Sequence, residues 1–409
     1  MKGYFMKQNL KQSRLVVFVL IALMVTAPLL AGANWFGSGR SDTVTIPREE
    51  YERLKQYALL DEVKQYVDAY FYEEPNTQDM MDGAIQGLLA GLGDAYSFYY
   101  PQEAWAKMKE DDSGKYAGIG VMMLGNHKDS SVTIVRVFKD TPAERAGLKK
   151  GDIFYTVEDI SVSTATMQDA VDIMRGIPGE KVHIEIIRNG EVIPFDLVKA
   201  NIVVNRAEHK MIDSKVGYII LYEFAGGSME AFREAYDDLK AQGMQHLIFD
   251  LRDNPGGWVG DAETIGDIFL DKKLLYYTQD RSQRRREHVT QPGADTMPLT
   301  VLVNGNSASA SEILAAALQD HKRAQIVGTT TFGKGVIQYV VPLDNDKSGF
   351  QFTAAQYFSP LGRKVHKEGI TPDLVVEMPE ELQDKLFETA DLADPQLAAA
   401  YEAVLKSLK

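Results

Sequence analysis

The residues of this chain that could do chemistry lie in two runs. Positions 306–312 read Asn-Ser-Ala-Ser-Ala-Ser-Glu, and positions 331–338 read Thr-Phe-Gly-Lys-Gly-Val-Ile-Gln. The first run supplies serine hydroxyls, which are weak nucleophiles until a neighbour takes the proton. The second supplies Lys334. Burial disfavours a lysine's ammonium form and can leave a neutral amine to act as the base. Lys334 stands between two glycines in a stretch with no other charge from Thr329 to Val341, an odd place for a solvent-facing lysine. If Lys334 to Val341 forms a strand, Lys334, Val336 and Gln338 project from one face. Gln338 could then orient the amine without adding a charge. The residues after the serines, Glu312 to Leu318, have strong helix propensity. A serine at the start of that helix has backbone N–H groups converging near its oxygen. Donors of that kind can stabilise an oxyanion.

Other chemistries fit less well. The chain has no cysteine, which removes disulfides, cysteine nucleophiles and thiolate metal sites. The histidines do not group and show no metal-ligand spacing. Only His321 and His366 fall near the two runs, so a Ser-His-Asp triad is an inferior reading. No metal, nucleotide or organic cofactor is implied. A net charge of −14 argues against nucleic acid as a partner, because binding phosphate needs clustered Lys and Arg. The cluster Arg281, Arg284, Arg285 and Arg286 reads as a solvated loop, with contact to anionic lipid or wall polymer as the alternative.

With three further blocks, these runs resemble the carboxyl-terminal processing proteases, also called tail-specific proteases, which are serine–lysine peptidases with a PDZ domain. The blocks are Leu-Gly-Asp-Ala-Tyr-Ser at 92–97, Asp-Leu-Arg-Asp-Asn-Pro-Gly-Gly at 250–257 and Tyr-Phe-Ser-Pro-Leu-Gly-Arg at 357–363; Gly-Ile-Thr-Pro-Asp at 369–373 also fits. The resemblance implies Ser309 as nucleophile, Lys334 as base and Gln338 as the lysine's partner. It also makes Asp250, Arg252 and Glu312 important for activity. Physically, Asp250 and Arg252 read as an ion pair holding a turn, and Glu312 as a complement to a helix dipole. The turn at Pro255–Gly257 follows the C-terminal end of an apolar strand, where α/β proteins tend to place sites. The amide of Gly256 or Gly257, with that of Ala310, is expected to form the oxyanion hole.

The elements that must position these groups follow from periodicity. Strands at 216–224, 246–251, 299–304 and 324–328 alternate with helices at 228–242, 262–269 and 309–320. The fold class expected is α/β (α+β) and multidomain: a βαβ-containing serine-protease core with an inserted PDZ domain and N- and C-terminal helical segments. The domains expected are a membrane anchor or signal peptide at 1–34, a linker at 35–44, a helical region at 45–110, a PDZ domain at 111–202, the protease core at 203–378 and a helical segment at 379–409. Within the PDZ region, Asn189-Gly190 marks a hairpin turn. Resemblance to PDZ modules implies that an apolar, unstructured substrate C-terminus adds as a strand to a sheet edge. Backbone amides of Tyr116, Ala117, Gly118, Ile119 and Gly120 would cradle the terminal carboxylate. Ile119, Val121, Val171 and Met174 would line the side-chain pocket, or serve only as core. Arg175 ends the PDZ helix, either as a cation on its dipole or as a sensor of bound peptide that communicates with Lys334.

Lys2, Lys7, Lys11 and Arg14 precede an uncharged apolar run from Leu15 to Ala33. Such a run can span a bilayer with its positive flank inside, and Ala31-Gly32-Ala33 also suits a signal peptidase. Either reading puts the remainder outside the cytoplasmic membrane, tethered to it or secreted. The amphipathic helices expected at 47–71 and 77–92 would cap the core or pair with a second copy as a homodimer. The expected function is an extracytoplasmic serine endopeptidase acting on proteins with apolar C-terminal tails. The alternatives are a peptide-gated regulatory protease and a catalytically silent PDZ scaffold.

Overall fold

The computed structural model describes residues 44–383 and 385–407. The chain divides into two compact units at Met80/Met81. In the first, the expected single helix at 47–71 is two, Arg48–Lys55 and Ala58–Tyr70, broken by a turn at Gln56 and Tyr57. Acidic Glu49 and Glu50 begin the first helix and basic Arg53 and Lys55 end it, as the helix dipole favours. Neither helix buries a residue, and Tyr51, Leu54, Leu59, Val63 and Tyr66 are exposed. A third helix, Thr77–Ala90, spans the boundary. Among the described residues no helix is long and apolar enough to cross a membrane; the Leu15–Ala33 run lies outside them.

The second unit is built on a six-stranded sheet ordered Ala207–Met211, Val216–Leu221, His246–Asp250, Leu299–Val303, Ala324–Gly328 and Leu374–Val375. All neighbours are parallel except the first pair. The strands at 246–250 and 299–303 are buried at every position, which is why they read as continuous rather than alternating apolar runs. Helices Ser228–Ala241, Val259–Phe269 and Ala310–Asp320 pack into the core on one face. Phe232, Ala235, Tyr236 and Leu239 give the first of these its apolar stripe. The other face is covered by Leu397, Ala400 and Val404 of the helix Pro395–Ser407.

Of the helical tail expected at 379–409, with a break near Asp391 to Pro395, only this last helix forms among the described residues. Before it lie only a 3₁₀ turn at Glu380–Leu382 and irregular chain. Its start is set by Asp394, whose Oδ1 accepts the Gln396 and Leu397 amides, and by Pro395 in the first turn.

A second sheet joins Phe98–Tyr100, Ser348–Phe358, Leu274–Gln279 and Arg285–Val289, with Val336–Leu343 paired to Ser348–Phe358. A third holds Val121–Gly125, Val132–Val137, Ile153–Val157, Lys181–Arg188 and Glu191–Val198, with helix Met167–Met174 on its own apolar core. This third sheet leaves and re-enters the chain through a two-stranded ribbon, Lys115–Gly118 against Ala200–Val203. The result is the mixed α/β architecture with an inserted β-rich module.

Candidate active site

The serine run lies in the turn between strand Leu299–Val303 and helix Ala310–Asp320. Its three hydroxyls are not equivalent. Ser307 is fully buried and donates to the Leu251 carbonyl at 2.7 Å; Ser311 is fully buried and donates to the Asn254 carbonyl at 3.0 Å. The Ser309 hydroxyl oxygen faces the Glu312 amide in a capping box, but its proton goes to no described residue. Ser309 also has φ 55° and ψ −113°, a left-handed conformation that costs a non-glycine residue about 1–3 kcal/mol. The conformation is held from both sides. Its carbonyl accepts the Tyr357 hydroxyl at 3.1 Å and the Ile313 amide at 3.0 Å, and its amide donates to Glu312 Oε2 at 2.9 Å.

Glu312 does more than complement the helix dipole. Its buried carboxylate accepts four hydrogen bonds: Thr331 Oγ1 at 2.5 Å and the Gly333 amide at 2.7 Å on Oε1, the Lys334 amide at 2.8 Å and the Ser309 amide at 2.9 Å on Oε2. One oxygen therefore fixes the backbones of Ser309 and Lys334 together. Burial pushes the Glu312 carboxyl above the usual range, against the four donors that lower it. The lysine loop is pinned on its far side by Ile370, whose carbonyl accepts the Thr331 amide at 3.2 Å.

Lys334 is half-buried, and its amine lies over the Tyr96 ring, 4.9 Å from the centroid. Burial lowers its pKa from the ordinary lysine value, while the charges of Asp94 and Glu312 partly offset this. The amine makes no hydrogen bond to Ser309 or to any other described residue. Gln338 does not reach the lysine either: its Nε2 donates to Thr353 Oγ1 at 3.1 Å. The strand begins at Val336 and so does not include Lys334, and the partner strand skips Ala354 between the pairs Ile337–Ala355 and Gln338–Thr353.

Of the two candidate glycines for an oxyanion hole, Gly256 donates its amide to Asn254 Oδ1 at 2.9 Å. The Gly257 and Ala310 amides have no acceptor among the described residues and stay available. Gly256 serves by having no side chain. A Cβ there would lie 2.7 Å from the Ser309 Cβ and 2.9 Å from the Ala310 nitrogen, closing the space beside the hydroxyl. Asp250 and Arg252 form the expected ion pair, with Nη2 to Oδ2 at 2.6 Å, and Arg252 also reaches Asp394 at 2.7 Å and Gln396 at 3.0 Å. Both residues are buried supports that tie the strand end to the C-terminal helix. His321 is occupied by the Leu274 carbonyl at 2.7 Å.

In the inserted module, strand Val121–Gly125 pairs only with Val132–Val137, which leaves its other edge open. Ile119 and Met174 are buried in the module's core, and Val121 and Val171 are half-buried. Tyr116, Ala117 and Gly118, expected to cradle a carboxylate, lie in the ribbon with Ala200–Val203. Ile119 and Gly120 follow that ribbon. Arg175 stacks on the Tyr116 ring at 4.6 Å and pairs with Asp111 at 2.8 Å, on the helix Gln102–Ser113. It makes no contact with Lys334. The arginine cluster sits on the exposed hairpin at 274–289, where Arg284 pairs with Asp280 and Arg285 with Glu287, both at 2.8 Å.

Sequence reasoning missed Asn254, whose side chain and carbonyl knit the Pro-Gly-Gly turn to the serine run. It also missed any role for Asp94, Tyr96 and Thr353 around Lys334. The first three lie inside quoted blocks; Thr353 carries no local signal, because strand register alone brings it to the site.

Comparison with known proteins agrees with this geometry. The family model described as Peptidase family S41 matches residues 215–376, a PDZ domain model matches 133–188, and a model described as the activating protease CtpB N-terminal domain matches 25–104. The chain is 32% identical over 374 residues to a carboxy-terminal-processing protease of Bartonella bacilliformis, covering 90% of this chain and 83% of that one. It is 30% identical over 395 residues to the carboxy-terminal processing protease CtpA of Bacillus subtilis, covering 94% and 82%. The solved photosystem II D1 C-terminal processing protease is similar at TM-score 0.52 and 26% identity, over 87% of this chain and 98% of that one. Fold and site thus define a serine-type peptidase on an α/β core with a PDZ domain. The chain belongs to the carboxy-terminal processing protease family.

Proposed function

We propose that this chain is an extracytoplasmic endopeptidase that cleaves proteins with Ser309 as nucleophile and Lys334 as base, Gln338 orienting the lysine. The observation that carries the reading is the Glu312 carboxylate, which holds the Ser309 and Lys334 amides on one oxygen beside a hydroxyl whose proton is uncommitted. Neutral Lys334 takes the Ser309 proton as Oγ attacks the peptide carbonyl. The Gly257 and Ala310 amides receive the developing oxyanion. Protonated Lys334 then gives its proton to the leaving amine. An ester on Ser309 remains, and water attacks it while Lys334 again takes a proton.

Substrates are proteins with unstructured apolar C-termini, which add to the open edge of Val121–Gly125 beside helix Met167–Met174. The apolar run at Leu15–Ala33 supports export, as an anchor or a cleaved signal. The exposed apolar side chains of the N-terminal helices support pairing with a second copy. A second reading, peptide-gated activity, is favoured by one observation: the Lys334 amine rests on Tyr96 and not on the Ser309 hydroxyl. In that reading, peptide in the module releases the lysine toward the serine.

Mass mapping after reaction with a fluorophosphonate tests the assignment. The adduct is expected on Ser309, absent from Ser307 and Ser311, and diminished in Lys334→Ala. An adduct on either neighbouring serine, with none on Ser309, overturns it.

A further inference from the structure

The block at 92–97 has no part in the reaction as described, yet it lies against the lysine. Asp94 Oδ2 accepts the Ser97 hydroxyl at 2.5 Å and the Thr353 hydroxyl at 2.7 Å. Thr353 Oγ1 in turn accepts from Gln338 Nε2 at 3.1 Å. The Thr353 amide donates to Ser97 Oγ at 3.1 Å, which closes the ring. Tyr96, between Asp94 and Ser97, carries the lysine amine on its ring.

The direction of this chain is fixed by chemistry. An ionised carboxylate only accepts, so the Thr353 proton must go to Asp94. The threonine oxygen is then left with lone pairs, and it must meet the NH₂ end of the Gln338 amide. The Gln338 carbonyl oxygen therefore faces away from Thr353 and has no partner among the described residues. That oxygen is the end of the amide that can accept from a lysine amine. Burial pushes the Asp94 carboxyl up, but the bonds from Ser97 and Thr353 and the Tyr96 amide outweigh it and hold the group below its usual value, which keeps it an acceptor.

We propose that Asp94 and Thr353 are positioning residues for the base: through a one-way relay, Asp94 to Thr353 to Gln338, they turn the Gln338 carbonyl oxygen toward the place Lys334 must occupy when it works. The proposal rests on the reading of Lys334 as the base. Tyr96 provides the resting place that the amine leaves. Asp94 and Glu312 are the acidic groups facing Lys334, and His366, near Asp94, is the other titratable group of the cluster.

The experiment is steady-state cleavage of casein by the full chain across pH, for wild type, Thr353→Val, Thr353→Ser, Asp94→Asn and Lys334→Ala, with folding checked by circular dichroism. Thr353→Val should lower kcat by on the order of tenfold to a hundredfold with little change in KM, and Thr353→Ser should restore most of that loss. Asp94→Asn should lower kcat too. It should also move the acid limb of the rate profile to lower pH, because removing a negative charge beside Lys334 favours its neutral form. A folded Thr353→Val with wild-type kcat, or one whose loss Thr353→Ser does not restore, overturns the relay. So does an Asp94→Asn profile identical to wild type. If Lys334→Ala itself keeps wild-type turnover, the base assignment fails first, and the relay falls with it.

Discussion

At the residue scale, the chemistry of this site depends on which protons are already committed. Ser307 and Ser311 have spent theirs on the Leu251 and Asn254 carbonyls, and Ser309 has not. Ser307→Ala should leave the Leu251 carbonyl without its side-chain donor and cost about 1–3 kcal/mol of stability in denaturant melts, with the chemistry intact once the protein is folded. The lysine sets the pH dependence. Its pKa is lowered by burial, and in the proposed mechanism the working form is the neutral amine. The protonated form predominates below that pKa, so kcat/KM should rise with pH through an acid limb placed below the ordinary lysine value near 10.4. A profile flat from neutral to alkaline pH, or one rising only at an unshifted lysine pKa, would count against this placement of Lys334. The two runs that carry the proposed serine and lysine stood out in the sequence because they are contiguous and chemically unusual, while the choice of Ser309 among three serines came from the resemblance. Thr353 did not stand out. It is an ordinary strand threonine that reaches Asp94 only through tertiary pairing.

At the scale of elements, two carboxylates decide where the catalytic turns sit. Each oxygen of Glu312 faces at least one main-chain N–H, from Gly333 on one side and from Ser309 and Lys334 on the other. A glutamine there must turn its own NH₂ toward an N–H donor in either orientation. Glu312→Gln should therefore lose most of its turnover while far-ultraviolet circular dichroism stays native. Full activity would mean that the clamp is dispensable. Asp250 and Arg252 belong to the frame. Arg252→Ala leaves the fully buried Asp250 without its cation and cuts the tie to Asp394 and Gln396. The expected loss is about 3–5 kcal/mol in chemical denaturation. The order of strands and helices was readable because buried parallel strands give unbroken apolar runs. The pairing of Gln338 with Thr353 was not, because the partner strand skips Ala354, a local shift of register that an alternating pattern does not reveal. Only the part of the tail before the expected break was misread as helical; the helix begins at Pro395, where Leu397, Ala400 and Val404 bury.

At the scale of the whole molecule, the β-rich module is joined to the protease core by the ribbon Lys115–Gly118 with Ala200–Val203, and its Arg136 also pairs with Glu208 of the core at 2.9 Å. Arg175, at the end of the module's helix, pairs with Asp111 on a helix outside it. A substrate tail that fills the open edge of Val121–Gly125 thus lies close to the joint between module and core. Replacing the last three apolar residues of an unstructured substrate by aspartate should raise KM about tenfold or more, with less effect on kcat if the module only captures. A fall in kcat of the same size would favour the gated reading, because the tail would then act on the lysine and not only on binding. Equal turnover of both tails would contradict tail recognition. Insertion of the module was visible in the sequence as a run of short strands with an Asn-Gly turn. The ribbon was not, since nothing in Tyr116 to Gly118 announces a partner strand more than eighty residues away.

The most direct test of the account is cleavage of an unstructured protein with an apolar C-terminus by wild type, Ser309→Ala and Lys334→Ala, each confirmed folded. The serine–lysine account predicts turnover by wild type and a loss of at least about a thousandfold in both variants. Turnover that persists in folded Lys334→Ala would contradict it, and would place the base elsewhere in the site.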